Sequence, residues 1–299
     1  MRHEGGGSVT AAHRSGRNLP LTVRARQGAI RVLRAARKVR GHRPPGPGKP
    51  PRAPAGWDVA PPDFVGIGAQ KAGTSWWSAL IHEHPDVHRA GGQPKELHFF
   101  DGYWEQPFTD ADVERYARYF PRPPGGSAGE WTPSYMIDFW TPELLRRAAP
   151  QARILVLLRD PLERYRSGMA HTDEMDRRNL GRQDAMGAFG RGLYAQQLRR
   201  VFAAFPREQV LILQYERCRI DPQAELARTF RFLGLRDVRL DPGRFERPVN
   251  PTTARKVELG DDLRTALSAA YAPDLSQLAV LAPELDLDLW PSVHEGSWR

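Results

Sequence analysis

The stretch Phe64-Val65-Gly66-Ile67-Gly68-Ala69-Gln70-Lys71-Ala72-Gly73-Thr74-Ser75-Trp76-Trp77 holds the residue types that grip an anion. A short apolar run enters a turn of glycines, one lysine and two hydroxyls, and a helical pattern follows. Strand, loop and helix in that order aim the backbone N–H groups of a helix N-terminus at a ligand, and Lys71 adds a point charge. The spacing narrows the ligand. A nucleotide-triphosphate loop reads G-x-x-x-x-G-K-[ST]. Here Gly68 and Gly73 keep the glycine spacing, but Thr74 follows Gly73 directly and the lysine stands earlier, at Lys71. The dinucleotide fingerprint G-x-G-x-x-G fails as well, because its third glycine falls on Lys71. The loop is therefore suited to a phosphate-like group, but not to that of ATP or NAD.

Two further clusters carry chemistry. Arg159-Asp160-Pro161-Leu162-Glu163-Arg164-Tyr165-Arg166-Ser167 follows an apolar run, which puts Arg159 at a strand end, where ligands of open α/β sheets bind. Ser167 lies about two helical turns on, roughly 12 Å by helix rise, so the two grip one anion only if the turn brings Arg159 back over the helix. The competing reading pairs Arg159 with Asp160 or Glu163 on the surface. In Pro94-Lys95-Glu96-Leu97-His98-Phe99-Phe100-Asp101, Glu96 and His98 are both candidate general bases. Alternation places Lys95, Leu97 and Phe99 on one side and Glu96 and His98 on the other. A carboxylate beside the aromatic pair gains basicity if its pocket is partly desolvated. The plainer alternative is an exposed loop with a buried Phe pair.

The elements that must position these clusters alternate between strands and helices. Trp76 to His84 reads as a helix ended by Pro85, and Asp110 to Tyr119 as a helix capped by Thr109 or Asp110. Arg153 to Leu158 and Gln209 to Gln214 are continuous apolar runs of the buried parallel kind. Pro161 opens a helix, Gly192 to Ala204 is helical, and Asp221-Pro222 starts a helix that reaches Phe232 and stops at Gly234. Asp262 to Tyr271 is the last amphipathic helix, with a looser apolar tail to Trp290. The pattern predicts an α/β fold: one P-loop-like domain with a central parallel sheet and helices on both faces.

Composition sets the surroundings. The chain has 299 residues, enough for one large α/β domain, and no stretch approaches a membrane span. Its single cysteine, Cys218, excludes an intrachain disulfide and a CxxC metal site and points to a reducing, cytoplasmic setting. The net charge of +9 is uneven: residues 1–52 hold 13 of the 44 Lys and Arg and one of the 35 acids, so the remainder is slightly acidic. The basic character belongs to the tail, and specific nucleic-acid binding by the domain is not expected. Residues 21–40 fit a short basic amphipathic helix suited to weak membrane-surface contact, or else a mobile solubilising extension. Residues 43–62 contain eight prolines and form a stiff linker. The expected division is an N-terminal extension over 1–62 and a catalytic domain over 63–299.

The order of the clusters resembles sulfotransferases that use 3′-phosphoadenosine-5′-phosphosulfate (PAPS), above all the branch with the heparan sulfate enzymes and many bacterial relatives. The resemblance runs from Phe64 to Leu235, with a weaker tail to Trp290. It rests on G-x-Q-K-A-G-T-S, K-E-L-H-F-F-D, L-R-D-P-L-E-R-Y-R-S and Y-E-R-C-R-I-D-P. It implies that Lys71, Ala72, Gly73, Thr74 and Ser75 surround the 5′-phosphosulfate and that Arg159 and Ser167 hold the 3′-phosphate. It also implies that Glu96, in preference to His98, is the base, and that Trp76 stacks on adenine unless it is a buried core residue. Tyr194 is placed near the nucleotide. In relatives a lysine usually stands where this chain has Trp131, and a Lys-Gly loop closes over the nucleotide. Asn250 to Lys256 is the stand-in for that loop, with Arg255 or Lys256 reaching the 3′-phosphate. No metal is expected.

The acceptor would be a hydroxyl or amine of a glycan, glycolipid or small metabolite. Tyr103, Trp104, Trp131, Tyr135 and Trp140 could stack on it or equally pack the core, and residues 171–187 would border its cleft. Two other classes compete. A Mg-dependent nucleotide phosphotransferase would use Asp160 at the strand end to hold its metal. A non-enzymatic membrane- or nucleic-acid-associated protein would act through the tail.

Overall fold

The apolar runs become the centre of a sheet because both of their faces are covered. The computed structural model describes residues 47–176, 181–247, 249 and 257–294 of the chain. Its first half runs β1 (Asp58–Val59), β2 (Phe64–Gly68), α1 (Thr74–Ile81), β3 (Val87–His88), α2 (Asp110–Ala117), β4 (Pro121–Arg122), β5 (Ser127–Trp131) and α3 (Thr141–Ala148). Then come β6 (Arg153–Leu158), α4 (Pro161–Asp176), α5 (Arg182–Gly190), α6 (Tyr194–Ala204), β7 (Val210–Gln214), α7 (Tyr215–Ile220) and α8 (Pro222–Leu233). The short α9 (Pro242–Phe245), the long α10 (Asp261–Leu281) and α11 (Pro291–His294) complete it.

Five parallel strands lie in the order β3-β5-β2-β6-β7, flanked by helices, and β1 and β4 form a separate antiparallel ribbon. Every residue of β2, β5 and β7 is buried. From the central β2 the chain first builds outward through β3 and β5, then returns to the other side for β6 and β7. The carboxyl ends of β2 and β6 therefore border the crevice where strand order reverses, the usual ligand position in such sheets. That crevice holds both the glycine loop and Arg159. A second cleft, about 510 Å³, opens at the opposite ends of the strands, between Pro61, Arg122, Gln151 and Arg153, far from these groups.

The expected α/β architecture is present, with differences at its borders. The domain starts before Asp63: β1 pairs with β4, and the Tyr119 hydroxyl lies 2.7 Å from the carbonyls of Pro47 and Gly48. The last long helix does not end at Tyr271 but continues through Pro273 to Leu281. Leu275 and Leu278 are buried beyond the proline, and this packing outweighs the lost backbone hydrogen bond. The proposed membrane-contacting segment 21–40 lies outside the described residues.

Close approach of β2 to β5 requires glycine at position 66. A Cβ there would fall 2.0 Å from the Trp131 ring, which is fully buried and donates its indole N–H to the Gly68 carbonyl at 3.3 Å. Gly66→Ala should destabilise the fold by about 3 kcal/mol, since neither the strand nor the indole can retreat. Urea unfolding checks this, and an unchanged midpoint would show that the ring moves aside freely.

Candidate active site

β2 delivers the loop, and the loop delivers an open helix end. Ala69 N–H donates to the Leu157 carbonyl of β6 at 2.8 Å, which anchors the turn to the neighbouring strand. Lys71 and Gly73 both take left-handed backbone conformations, with φ of 69° and 92°. At Gly73 a side chain would also meet the Tyr215 ring at 2.7 Å. Gly73 is the N-cap of α1 and offers no side-chain oxygen, and the first turn has no acidic residue. The amides of Thr74, Ser75 and Trp76 thus keep their positive ends for an anion.

β6 brings the second cluster beside the first. Arg159 donates from Nη1 to the Lys71 carbonyl at 3.4 Å and from Nη2 to Glu163 at 3.5 Å, with its guanidinium 4.8 Å over the Tyr215 ring. The competing pairing with Glu163 is therefore real, but it occurs at the loop and not out on the surface. Tyr215, which the sequence reading missed, touches both clusters. Ser167 is 8% exposed on α4, and no hydrogen bond joins it to Arg159. Asp160 caps α4 instead of facing the crevice. Its carboxylate accepts from the N–H groups of Leu162 at 2.8 Å, Glu163 at 3.0 Å and Ser292 at 2.8 Å. That occupies the group a metal-dependent phosphotransferase would need.

The third cluster is not a strand, so the expected alternation fails. His98 has φ of 50°, and this turn lets Lys95, Glu96 and His98 meet. The Lys95 ammonium donates to Glu96 Oε1 at 2.7 Å, to Ser75 Oγ at 3.1 Å and to Thr74 Oγ1 at 3.4 Å. His98 Nε2 lies 3.2 Å from Glu96 Oε2, and its Nδ1 lies 2.9 Å from Asp101 Oδ2. Hydrogen bonds to Asp101 and Glu96 lift the His98 imidazole to about 10 despite its burial, so it is cationic at neutral pH. Burial pushes the Glu96 carboxyl up, but His98 and Lys95 outweigh it and hold the group at about 2. The partly desolvated pocket thus does not make Glu96 a stronger base, contrary to the sequence expectation. Lys95 and Asp101, for which the motif alone suggests no role, complete the cluster.

A buried cage seats this segment. Glu130 is fully buried; its Oε2 accepts from Leu97 N–H at 3.1 Å and Thr132 Oγ1 at 2.6 Å. Its Oε1 accepts from the hydroxyls of Tyr116 at 2.7 Å and Tyr135 at 3.2 Å. The Tyr135 hydroxyl in turn accepts from Phe99 N–H at 2.8 Å. Burial pushes the Glu130 carboxyl up.

Residues 61–253 fit the model of the sulfotransferase domain. The chain belongs to the sulfotransferase family. It is 32% identical over 213 residues to human heparan sulfate glucosamine 3-O-sulfotransferase 6, covering 67% of this chain and 60% of that protein. Human heparan sulfate glucosamine 3-O-sulfotransferase 3B1 is 30% identical over 194 residues, covering 60% of this chain and 48% of that protein. The chain thus spans about half to three-fifths of the length of these relatives. A crystal structure of a sulfotransferase from Alicyclobacillus acidocaldarius superposes with a TM-score of 0.61 at 28% identity, over 78% of this chain and 99% of that one.

Within this sulfotransferase-family domain, several of the aromatic candidates are buried. Trp76 is a core residue, 8% exposed, with its indole N–H on the Phe245 carbonyl at 3.2 Å and the Arg219 guanidinium 5.2 Å over its ring. That burial fits the competing core reading. Tyr194 is fully buried and donates its hydroxyl to the Arg159 carbonyl at 2.7 Å, which ties it to the strand end that carries the arginine. Trp131 and Tyr135 are core groups as well, both fully buried. Arg255 and Lys256 lie outside the described residues.

Proposed function

We propose that this chain transfers a sulfuryl group from PAPS to a hydroxyl or amine of a carbohydrate, lipid-linked or small-molecule acceptor, with Glu96 as the general base. One observation carries the reading. The Lys95 ammonium reaches Ser75 of the anion cradle and Glu96 at once, at 3.1 Å and 2.7 Å, so the base stands one side chain from the donor's transferring end. His98 is cationic and is set aside as the resting base.

The chain's own groups account for the charge movements. The α1 amides and Lys71 hold the 5′-phosphosulfate, and Arg159 takes the 3′-phosphate together with Ser167. The acceptor oxygen or nitrogen forms a bond to sulfur while the bond from sulfur to the bridging oxygen breaks. The electron pair leaves with adenosine 3′,5′-bisphosphate, whose charge Lys71 and the amides already face. The acceptor's proton passes to Glu96. Its low resting basicity is adequate because the attacking hydroxyl becomes acidic as its bond to sulfur forms. The donor also competes for Lys95, and charge that Lys95 gives to the donor raises the basicity of Glu96.

Binding of adenosine 3′,5′-bisphosphate tests the donor half of this reading. Calorimetry should detect it, and Lys71→Ala and Arg159→Ala should each weaken it by about tenfold or more, as expected for lost charge-assisted contacts. An unaltered protein that does not bind the bisphosphate would end the proposal.

A further inference from the structure

We infer that Asp138, Trp104 and Phe139 form the acceptor wall of this site, and that the wall takes an uncharged alcohol with an apolar or ring face, a glycoside in chemical class, rather than a polyanion. The inference rests on the sulfuryl-transfer reading above and adds the kind of acceptor.

The wall is built on two segments stitched together beside the base. Trp140 donates its indole N–H to the Phe100 carbonyl at 3.0 Å, which ties residues 138–140 to the turn that follows His98. That turn, Asp101–Trp104, starts on the His98 partner and ends on a ring that is 59% exposed. On the other segment, Phe139 is 70% exposed and stands edge-on to Trp140, with ring centres 5.1 Å apart. Large rings left this open are uncommon on a folded surface, and here both lie within three residues of a carboxylate of the cluster. Among the described residues, Phe139 and Trp104 are the only exposed large aromatics.

Asp138 supplies the polar half. It is half-buried and, among the described residues, makes no side-chain hydrogen bond or ion pair. The charged groups that face it are Asp101, Arg191 and His98; burial and Asp101 push its carboxyl up to about 6. A carboxylate with unused acceptor positions next to open rings suits neighbouring hydroxyls on a molecule whose other face is apolar.

Charge argues against a polyanion. Among the described residues, the cations that face Glu96 and Asp138 already sit against carboxylates: Lys95 bonds Glu96, His98 bonds Glu96 and Asp101, and Arg191 faces Asp138. A sulfated or carboxylated chain would instead meet Asp101 and Asp138, and like charges placed together reject a partner.

The test supplies the full chain with PAPS and two probes, an alkyl glucoside and a heparan-type oligosaccharide, and weighs the products by mass spectrometry. The glucoside should gain a sulfuryl group. Trp104→Ala and Phe139→Ala should each raise its KM by about tenfold while leaving the KM for PAPS unchanged, the usual size for a lost apolar contact. Asp138→Asn should also raise that KM and abolish a fall in acceptor affinity below about pH 6, where the native carboxyl takes up a proton. Transfer to the oligosaccharide alone, transfer to neither probe, or unchanged acceptor KM in all three variants overturns the assignment. Failure of the unaltered protein to bind adenosine bisphosphate is a separate result; it removes the sulfuryl-transfer reading itself.

Discussion

Replacing Glu96 with Gln should lower turnover by about 10²–10⁴-fold, the usual worth of a general base, while adenosine bisphosphate still binds. The amide keeps the size of the side chain but cannot take the acceptor's proton. The donor site should survive because the grips proposed for it lie elsewhere: the α1 amides, Lys71, and Arg159 lodged against the Lys71 carbonyl. Steady-state kinetics beside calorimetry separates the two effects. Full turnover by the variant would pass the base role to His98.

The pH profile provides an independent check of the same assignment. A base must be unprotonated, so activity that depends on Glu96, held at about 2, has no acidic limb from that group at ordinary pH. Activity that depends on neutral His98 would instead climb with pH toward about 10. Stability follows the same pair with opposite signs. The raised His98 value stabilises the fold fully below its unfolded value of about 6.5, and this contribution is lost as pH rises through about 10. The depressed Glu96 value stabilises above about 4.5 and is lost as pH falls through about 2. A rate that stays level across neutral pH therefore supports Glu96.

The parts of the site that follow continuous chain signals were legible in the sequence. β2 and β6 are unbroken apolar runs, and the displaced Lys71 separated this loop from those of ATP and NAD enzymes before any contact was known. β5 was not legible, because Ser127-Ala-Gly-Glu-Trp looks like neither an alternating nor an apolar strand. It is a strand because its small residues let β2 approach and because Glu130 finds hydroxyl and amide partners from distant segments. Lys95 escaped for a similar reason. Alternation put it opposite Glu96, whereas the left-handed turn at His98 abolishes alternation and leaves the two side chains bonded. Trp76 stayed between two roles in the sequence because its position in the motif says nothing of Phe245 and Arg219, the far-off groups that pack on it.

Glu130→Ala should damage both the fold and the chemistry, and in separable ways. The carboxylate accepts from Leu97 N–H, Thr132, Tyr116 and Tyr135, all inside the protein. Leu97 N–H keeps a second partner, Thr132 Oγ1 at 3.0 Å, but the two tyrosine hydroxyls lose their acceptor in a dry site. Each buried donor left unpaired costs about 1–3 kcal/mol and the vacated volume adds to it, so roughly 3 kcal/mol or more of stability should go. Urea unfolding measures that loss. The chemistry suffers because Leu97 and Phe99, whose amides the cage holds, lie on either side of His98, and Leu97 directly follows Glu96. A displacement of about 1 Å in such a group costs about 10²-fold in rate, so kcat should fall by that order in the folded fraction. Bisphosphate affinity should not change, since no cage residue touches the loop amides or Arg159. Glu130→Gln should lie between the two, because its oxygen can serve Leu97 and Thr132 while Tyr116 turns its hydroxyl to accept. A Glu130→Ala protein that unfolds at the native midpoint, or that keeps native kcat once folded, would mean that the segment holds its shape without the cage.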